Sequence, residues 1–249
     1  MSPADVLARL MDTFIINQTT PTKGKLLKRR KRGRRWLIYV GNIFLRWSHS
    51  RILMFPQTHA WQQWECDCYR RLYGGGCQPV GDDAVLIDPF PGESLRTLLI
   101  QNHLTDAAMQ AAALEFRRVH ELDGWSHGDP HLDNVLFDGK RARLIDFETQ
   151  HLAGLSVEVR QADDLLVLLL DLMGRDSTEN WQRWSQILLR AYDNAEVVQE
   201  LQKHLIVPKG LELVLWKSRT NYLPTGALRQ RMDRLNVMVR DYLAESSLP

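Results

Sequence analysis

A chain of 249 residues, 44% of them hydrophobic and 25% charged, has enough material for a large core without disulfide or metal staples, which excludes small-scaffold and disordered classes. The formal charge is near balance at +2, yet nine Lys or Arg fall within KGKLLKRRKRGRR at 23 to 35, so the basic character is local. No apolar run approaches the roughly 20 residues of a spanning helix, and MSPADVLARLMDTFIINQTT lacks a basic stretch before an apolar core, so a cytoplasmic protein is expected.

Taken in chain order, RRWLIYV (34 to 40) and IFLRW (43 to 47) flank a Gly-Asn pair, which predicts two strands joined by a tight hairpin. Trp61, Trp64, Cys68 and Leu72 recur at helical spacing and predict a helix from about Thr58 to Tyr73, stopped by Gly74 to Gly76. DAVLIDPF (83 to 90) reads as a buried strand that Pro89 and Pro91 end. Cys66, Cys68 and Cys77 are an odd number without a second pair for a zinc site, so reduced thiols are expected.

After residue 91 helical patterns dominate. Thr105 is placed to cap a helix whose Ala112, Phe116, Val119 and Leu122 share a face, with Gly124 at its end. RARLIDF (141 to 147) reads as a strand, DDLLVLLLDLMG (163 to 174) is apolar all round and predicts an internal helix, and further helices are expected at about 178 to 194 and 225 to 245. The expected fold class is α+β: residues 1–90 with strands and one helix, residues 91–249 helical.

Between these elements, HGDPHLDNVLF at 127 to 137 concentrates His127, Asp129, His131, Asp133 and Asn134. His127, Asp129, His131 and Asp133 alternate as zinc ligands could, but Pro130 argues against a regular strand that would gather them on one face. Phosphoryl transfer asks for a carboxylate that orients the attacking hydroxyl and for hard oxygen ligands that hold magnesium on nucleotide phosphates. Asp129, Asn134 five residues later, and Asp146 in LIDFE supply these in order; a turn at Asp138-Gly139 allows Asn134 and Asp146 to meet at the ends of a hairpin.

HGDPHLDN followed by LIDFE resembles the catalytic loop and metal-binding motif of the protein-kinase-like fold. The resemblance is to the branch of aminoglycoside and choline phosphotransferases, RIO-type kinases and lipopolysaccharide-core (Kdo) kinases, which has His-Gly-Asp for His-Arg-Asp. It spans roughly residues 34 to 172 and includes FPGESLRTLL (90 to 99), similar to the linker and first helix of the C-lobe. It implies a bilobal kinase fold and an ATP-dependent kinase using Mg2+ or Mn2+. Asp129 would be the catalytic carboxylate, Asn134 and Asp146 the metal ligands, and His127 a structural support. Asp163 or Asp164 would brace the catalytic loop, and Phe90 would offer the adenine a backbone donor.

The pattern departs from the family at the lysine that pairs with a helix glutamate near the phosphates. Glu65 fits the glutamate, and Arg46 stands on the expected third strand where the family has lysine; the alternative is a lysine from 23 to 31. A glycine-rich phosphate loop is missing, and Asp-Phe-Glu replaces Asp-Phe-Gly, which points to a fixed metal motif. Only sixteen residues separate Asp146 from Asp163, too few for a peptide platform, so a sugar, a lipopolysaccharide-type glycan or another hydroxyl-bearing small molecule is the expected acceptor ahead of a protein. A catalytically weak nucleotide-binding scaffold is the rival reading. The basic run 23–35 reads first as a solvated hairpin face, then as a patch for an anionic substrate or for an anionic membrane surface, which would make the protein peripheral to the inner membrane; nucleic acid ranks last.

Overall fold

The computed structural model describes residues 17–31, 35–47, 50–210, 213 and 223–246. Residues 1–16, on which the expectation about the start of the chain rests, and 32–34 of the basic run lie outside the described residues. The architecture is mixed α and β, mostly helical, with small antiparallel sheets.

The chain enters as a hairpin of β1 (Gln18–Thr22) and β2 (Lys25–Arg29), turning at Lys23 and Gly24, both of positive φ. β2 also pairs antiparallel with β5 (Ala84–Ile87), and β5 with β4 (Cys77–Val80), giving the sheet order β1-β2-β5-β4. Residues 25–29 of the basic run are therefore strand, and the alternation turns Lys28 inward and Arg29 outward. Arg30 is buried as well, its Nη1 donating to the Phe55 carbonyl at 2.6 Å and its guanidinium lying 4.6 Å from the Trp61 ring centre. A uniformly solvated hairpin face is thus corrected: the run has an inner side.

The two strands expected at 34 to 47 are one helix, α1 (Arg35–Trp47). Its apolar residues are so numerous that they satisfy a period of two and a period of 3.6 alike, and tertiary contact decides between them. Ile38, Gly41 and Leu45 form the buried face, against β3 (Ile52–Met54). The Gly-Asn pair makes no hairpin turn. A Cβ on Gly41 would stand 3.0 Å from Met54 Cε, and the Asn42 amide bonds both the N–H and the carbonyl of Met54 at 2.9 Å. Asn42 thereby serves β3 as a neighbouring strand would. Residues 1–90 consequently hold a second described helix beside the expected one.

That expected helix, α2, runs Thr58–Tyr73 as the spacing predicted and stops at Gly74, which is left-handed at φ 79 and donates to the Arg70 carbonyl. β4 packs against α2, and Cys66 and Cys77 form a disulfide with Cα atoms 4.9 Å apart. The expectation of reduced thiols is corrected for this pair, because an odd count excludes a full set of bridges but not one; Cys68 stays free and buried.

Beyond Pro91, β6 (Glu93–Ser94) leads into α3 (Leu95–Ile100), capped by the Ser94 hydroxyl, and α4 (Asp106–Glu121), capped by Thr105 as expected. A 3-10 turn at Leu132–Asn134 precedes β7 (Val135–Phe137), which pairs with β8 (Ala142–Leu144), while β9 (Thr149–His151) returns to pair with β3. α5 (Val157–Arg175) begins two turns earlier than its apolar run, because Ser156 caps it and Gln161, Asp163 and Asp164 are buried with hydrogen-bond partners. Leu165, Leu168, Leu169 and Leu172 of α5 are buried, each contributing about 1.5–3 kcal/mol. α6 (Asn180–Tyr192), α7 (Ala195–Lys203) and α8 (Thr225–Ser246) complete the helical part; α7 is too short for its period to have been read from the sequence.

Candidate active site

The loop at residues 126–131 carries Asp129 between α4 and the β7–β8 hairpin. Gly128 is required there: its φ is +90, and a Cβ would come within 2.8 Å of Thr149 Oγ1 and 3.3 Å of Ile52 Cγ2, where β3 and β9 cross the loop. His127 is fully buried. Its Nδ1 accepts from the Asp129 N–H at 3.2 Å, so its Nε2 must carry the proton that it donates to the Ile145 carbonyl at 2.9 Å. Burial lowers its pKa, and the neutral ring links the Asp129 loop to the strand leading to Asp146.

Of the two candidate braces, Asp164 holds the loop. Its Oδ2 accepts from the His127 N–H at 2.6 Å and its Oδ1 from the Gly128 N–H at 2.7 Å, while His120 Nε2 lies 3.1 Å away. Burial works against the charge on Asp164, but the hydrogen bond from His120 and the neighbouring histidines keep its pKa low. Asp163 faces elsewhere, taking Arg51 Nη1 at 2.8 Å and His151 Nε2 at 3.3 Å, and so ties α5 to β3 and β9.

One α-helical heptad after Asp164 on the same face, the buried Asp171 accepts from the Leu132 N–H at 2.9 Å and the Arg175 Nε at 2.5 Å. The signal for it was in the sequence: an acid within DDLLVLLLDLMG, seven residues beyond Asp164. His131 stands between two carboxylates, its Nε2 3.1 Å from Asp129 Oδ1 and its Nδ1 3.7 Å from Asp171 Oδ2. Burial alone would lower its pKa, but Asp129 and Asp171 override that and push it up to about 10, so the ring is cationic at neutral pH. Asp133 pairs with Arg96 of α3 at 2.6 Å. His131 thus stands between Asp129 and Asp171, while Asp133 is held by α3, so the four residues of the alternating set do not share one centre.

The β7–β8 register sets Val135 opposite Leu144, and Ile145 N–H donates to the Asn134 carbonyl at 3.0 Å. The hairpin thus brings Asn134 beside the residue that precedes Asp146. Asn134 Nδ2 donates to the Asp129 carbonyl at 2.9 Å, which leaves the amide oxygen on the opposite side of the group as an acceptor. Asp146 has φ +71, a left-handed conformation that an Asp tolerates better than most residues. Phe147 is buried, its ring 5.0 Å from that of His127 and 5.4 Å from that of Trp125.

Lys28 closes the site from β2. Its Nζ lies 2.8 Å and 2.9 Å from the two Glu65 oxygens, 2.9 Å from Glu148 Oε1, and in contact with Asp146 Oδ1. Glu65 is fully buried on α2. Burial pulls the Lys28 pKa down, but Asp146, Glu148 and Glu65 together raise it well above the usual lysine value. Burial raises the Glu65 pKa and works against ionisation of Asp146, yet Lys28 holds Asp146 low. Glu148 is pushed up to about 7 by burial and by the carboxylates around it, against the pull of Lys28. The Asn17 amide donates to it at 2.6 Å.

Arg46 is corrected by this geometry. It lies near the exposed C-terminal end of α1, off the sheet, while Lys28 meets Glu65; the alternative of a lysine from 23 to 31 describes the observed pair. Lys28 was not singled out among the lysines of 23 to 31 because its strand was hidden in the basic run, although an inward position at alternate spacing from Leu26 was a usable signal. Glu148 was weighed for its backbone alone. The Phe90 ring stacks at 5.8 Å on Tyr69 and meets Tyr73 at 4.9 Å, with Arg143 over its other side at 4.4 Å, so its side chain secures the connection after β5 to α2.

The described residues thus join a cation, three carboxylates and the Asp129 loop from four separate parts of the chain. The carboxylates outnumber the Lys28 ammonium, but among the described residues no three His, Cys, Asp or Glu side chains are grouped to hold a metal ion; the hard oxygen groups that could take magnesium or manganese are Asp146 and the Asn134 amide oxygen. No family model matches the chain, and no curated protein matches it.

Proposed function

We propose that the protein is an ATP-dependent phosphotransferase of the bilobal kinase-like type, transferring phosphate to a hydroxyl. The observation that carries this reading is the convergence on Lys28 of Glu65 from α2 with Asp146 and Glu148 from the segment after β8. A structural ion pair needs one carboxylate; a nucleotide site needs a cation for the phosphates and an ionised ligand for the metal beside it. In this reading Lys28 meets the phosphates, Glu65 orients Lys28, and Asn134 and Asp146 hold Mg2+ or Mn2+. The metal, when bound, neutralises phosphate charge.

Asp129 orients the acceptor hydroxyl, held by the His127 contact on its N–H, by Asn134 on its carbonyl and by cationic His131 at its carboxylate. Such a group acts chiefly by position, because a loose transition state needs little early proton removal. The acceptor is a small hydroxyl compound or glycan: between Asp146 and α5 the chain forms β9 and the loop 152–156, which offers no extended platform for a peptide. The connection after Ile87 would receive the adenine, with the backbone at Phe90 as donor. No helix of the described residues is long and apolar enough to cross a membrane, and a cytoplasmic location remains part of this proposal.

The test is ATP turnover and magnesium-dependent thermal stabilisation in wild type, Asp129→Asn and Asp146→Ala. Turnover lost in both variants, with metal-dependent stabilisation lost only in Asp146→Ala, supports the enzyme. The rival, a catalytically weak nucleotide-binding scaffold, draws on the engagement of Lys28 by Asp146 itself. It would be favoured by nucleotide binding without turnover across a panel of hydroxyl acceptors.

A further inference from the structure

The face of α1 opposite β3 is apolar and open. Trp36, Tyr39, Val40, Ile43, Phe44 and Trp47 recur at three- and four-residue steps along one stripe, and Trp36, Ile43 and Trp47 are 63%, 49% and 61% exposed. Scattered exposed apolar residues need no explanation, but six on one thirteen-residue helix form a contiguous surface. The helix has no acidic residue. Between Thr13 and Trp64 the sequence has eleven Lys or Arg and no Asp or Glu, although the whole chain is only +2; of these, Lys28 and Arg30 are buried and Arg51 is paired with Asp163.

We infer that α1 is an interfacial helix that lays this stripe into the surface of an anionic phospholipid bilayer. Aromatic rings at both ends and aliphatic Val40 and Ile43 between them match the boundary between headgroups and acyl chains, and exposed Lys31, Arg35 and Arg46 supply charge for anionic headgroups. A second copy of this chain fits less well, because two such faces would oppose cation to cation. Nucleic acid would stack on the rings but has no use for the aliphatic centre of the stripe. The helix is fastened to the core by Ile38, Leu45 and the two Asn42 bonds to Met54, on the strand that pairs with β9. Docking there would hold the candidate site close to the membrane. Docking of this kind is independent of the proposed reaction, and vesicle binding is read without nucleotide.

The experiment is co-flotation of the full chain with vesicles of phosphatidylcholine alone and of phosphatidylcholine mixed with phosphatidylglycerol, at low and high salt. The expected result is binding to the anionic vesicles that salt weakens, reduced about tenfold or more in Trp36→Ser/Ile43→Ser and more modestly in Lys31→Gln/Arg35→Gln, with thermal melting unchanged. Failure of wild type to float with anionic vesicles overturns the inference. So does an unchanged affinity in the apolar variant accompanied by a lower melting temperature, which would mean that the stripe packs within the chain. A concentration-dependent dimer abolished by Trp36→Ser/Ile43→Ser, or oligonucleotide binding lost in that variant, with vesicle binding intact in either case, also overturns it.

Discussion

Lys28 has three carboxylates around it, and one would neutralise it. At the scale of the residue this surplus is the central fact of the site, because removing the cation leaves buried negative charge without a partner. Lys28→Met is expected to destabilise the fold by about 3–5 kcal/mol in urea unfolding, and Lys28→Met/Glu65→Gln to recover part of the loss, a coupling that independent residues would not give. His131 makes a second charged contact, and its sign can be worked out. With a folded pKa of about 10 against about 6.5 for a free histidine, its contribution is complete below pH 6.5 and is lost as pH rises through 10. His131→Gln should therefore cost about 1–3 kcal/mol at pH 6, and the difference from wild type should shrink toward pH 10 in thermal unfolding. A constant difference across that range would remove the charge from the explanation. These residues were unequally legible. Asp129, Asn134 and Asp146 lie close in sequence, in the loop before one short hairpin and at its two ends, so spacing relates them, whereas Lys28 reaches Asp146 across 118 positions through a sheet that had to be known first.

At the scale of the element, α5 works as a rail of buried acids. Asp164 and Asp171, a heptad apart, accept backbone N–H groups of the loop and of the 3-10 turn, so the helix fixes the height of both relative to the core. Asp164→Ala would orphan the His127 and Gly128 N–H groups together and is expected to cost about 3–5 kcal/mol, whereas Asp163→Ala, after which Arg51 keeps its contact with His204 and His151 its contact with Ser126, should cost about 1–2 kcal/mol; urea midpoints compare them. Equal losses would contradict the assignment of Asp164 as the brace. Element reading succeeded where caps and stops were local, as for α2 between Thr58 and Gly74 and for α4 behind Thr105. It failed at α1, where a run apolar on nearly every side carries no single period and the contacts with β3, made by Ile38, Leu45, Gly41 and Asn42, choose the helix.

At the scale of the whole molecule, the sheet β1-β2-β5-β4 with α2 supplies Lys28 and Glu65, while the helical part supplies the Asp129 loop and the hairpin leading to Asp146. The site exists only where these two parts meet. The composition change near residue 91 was visible in the sequence; the contacts that bring the two parts together were not, since they depend on side chains more than a hundred positions apart, such as Asn17 with Glu148. A cation from one part and oxygen ligands from the other are what the proposed phosphoryl transfer would use. The most direct test is magnesium-dependent ATP turnover with a panel of sugar and glycan acceptors, comparing wild type with Asp129→Asn. Phosphorylated acceptor from wild type, with the rate reduced about 100- to 10,000-fold in Asp129→Asn at unchanged melting temperature, is the expected result; equal turnover in the two proteins, or none in wild type despite nucleotide binding, would contradict the phosphotransferase reading.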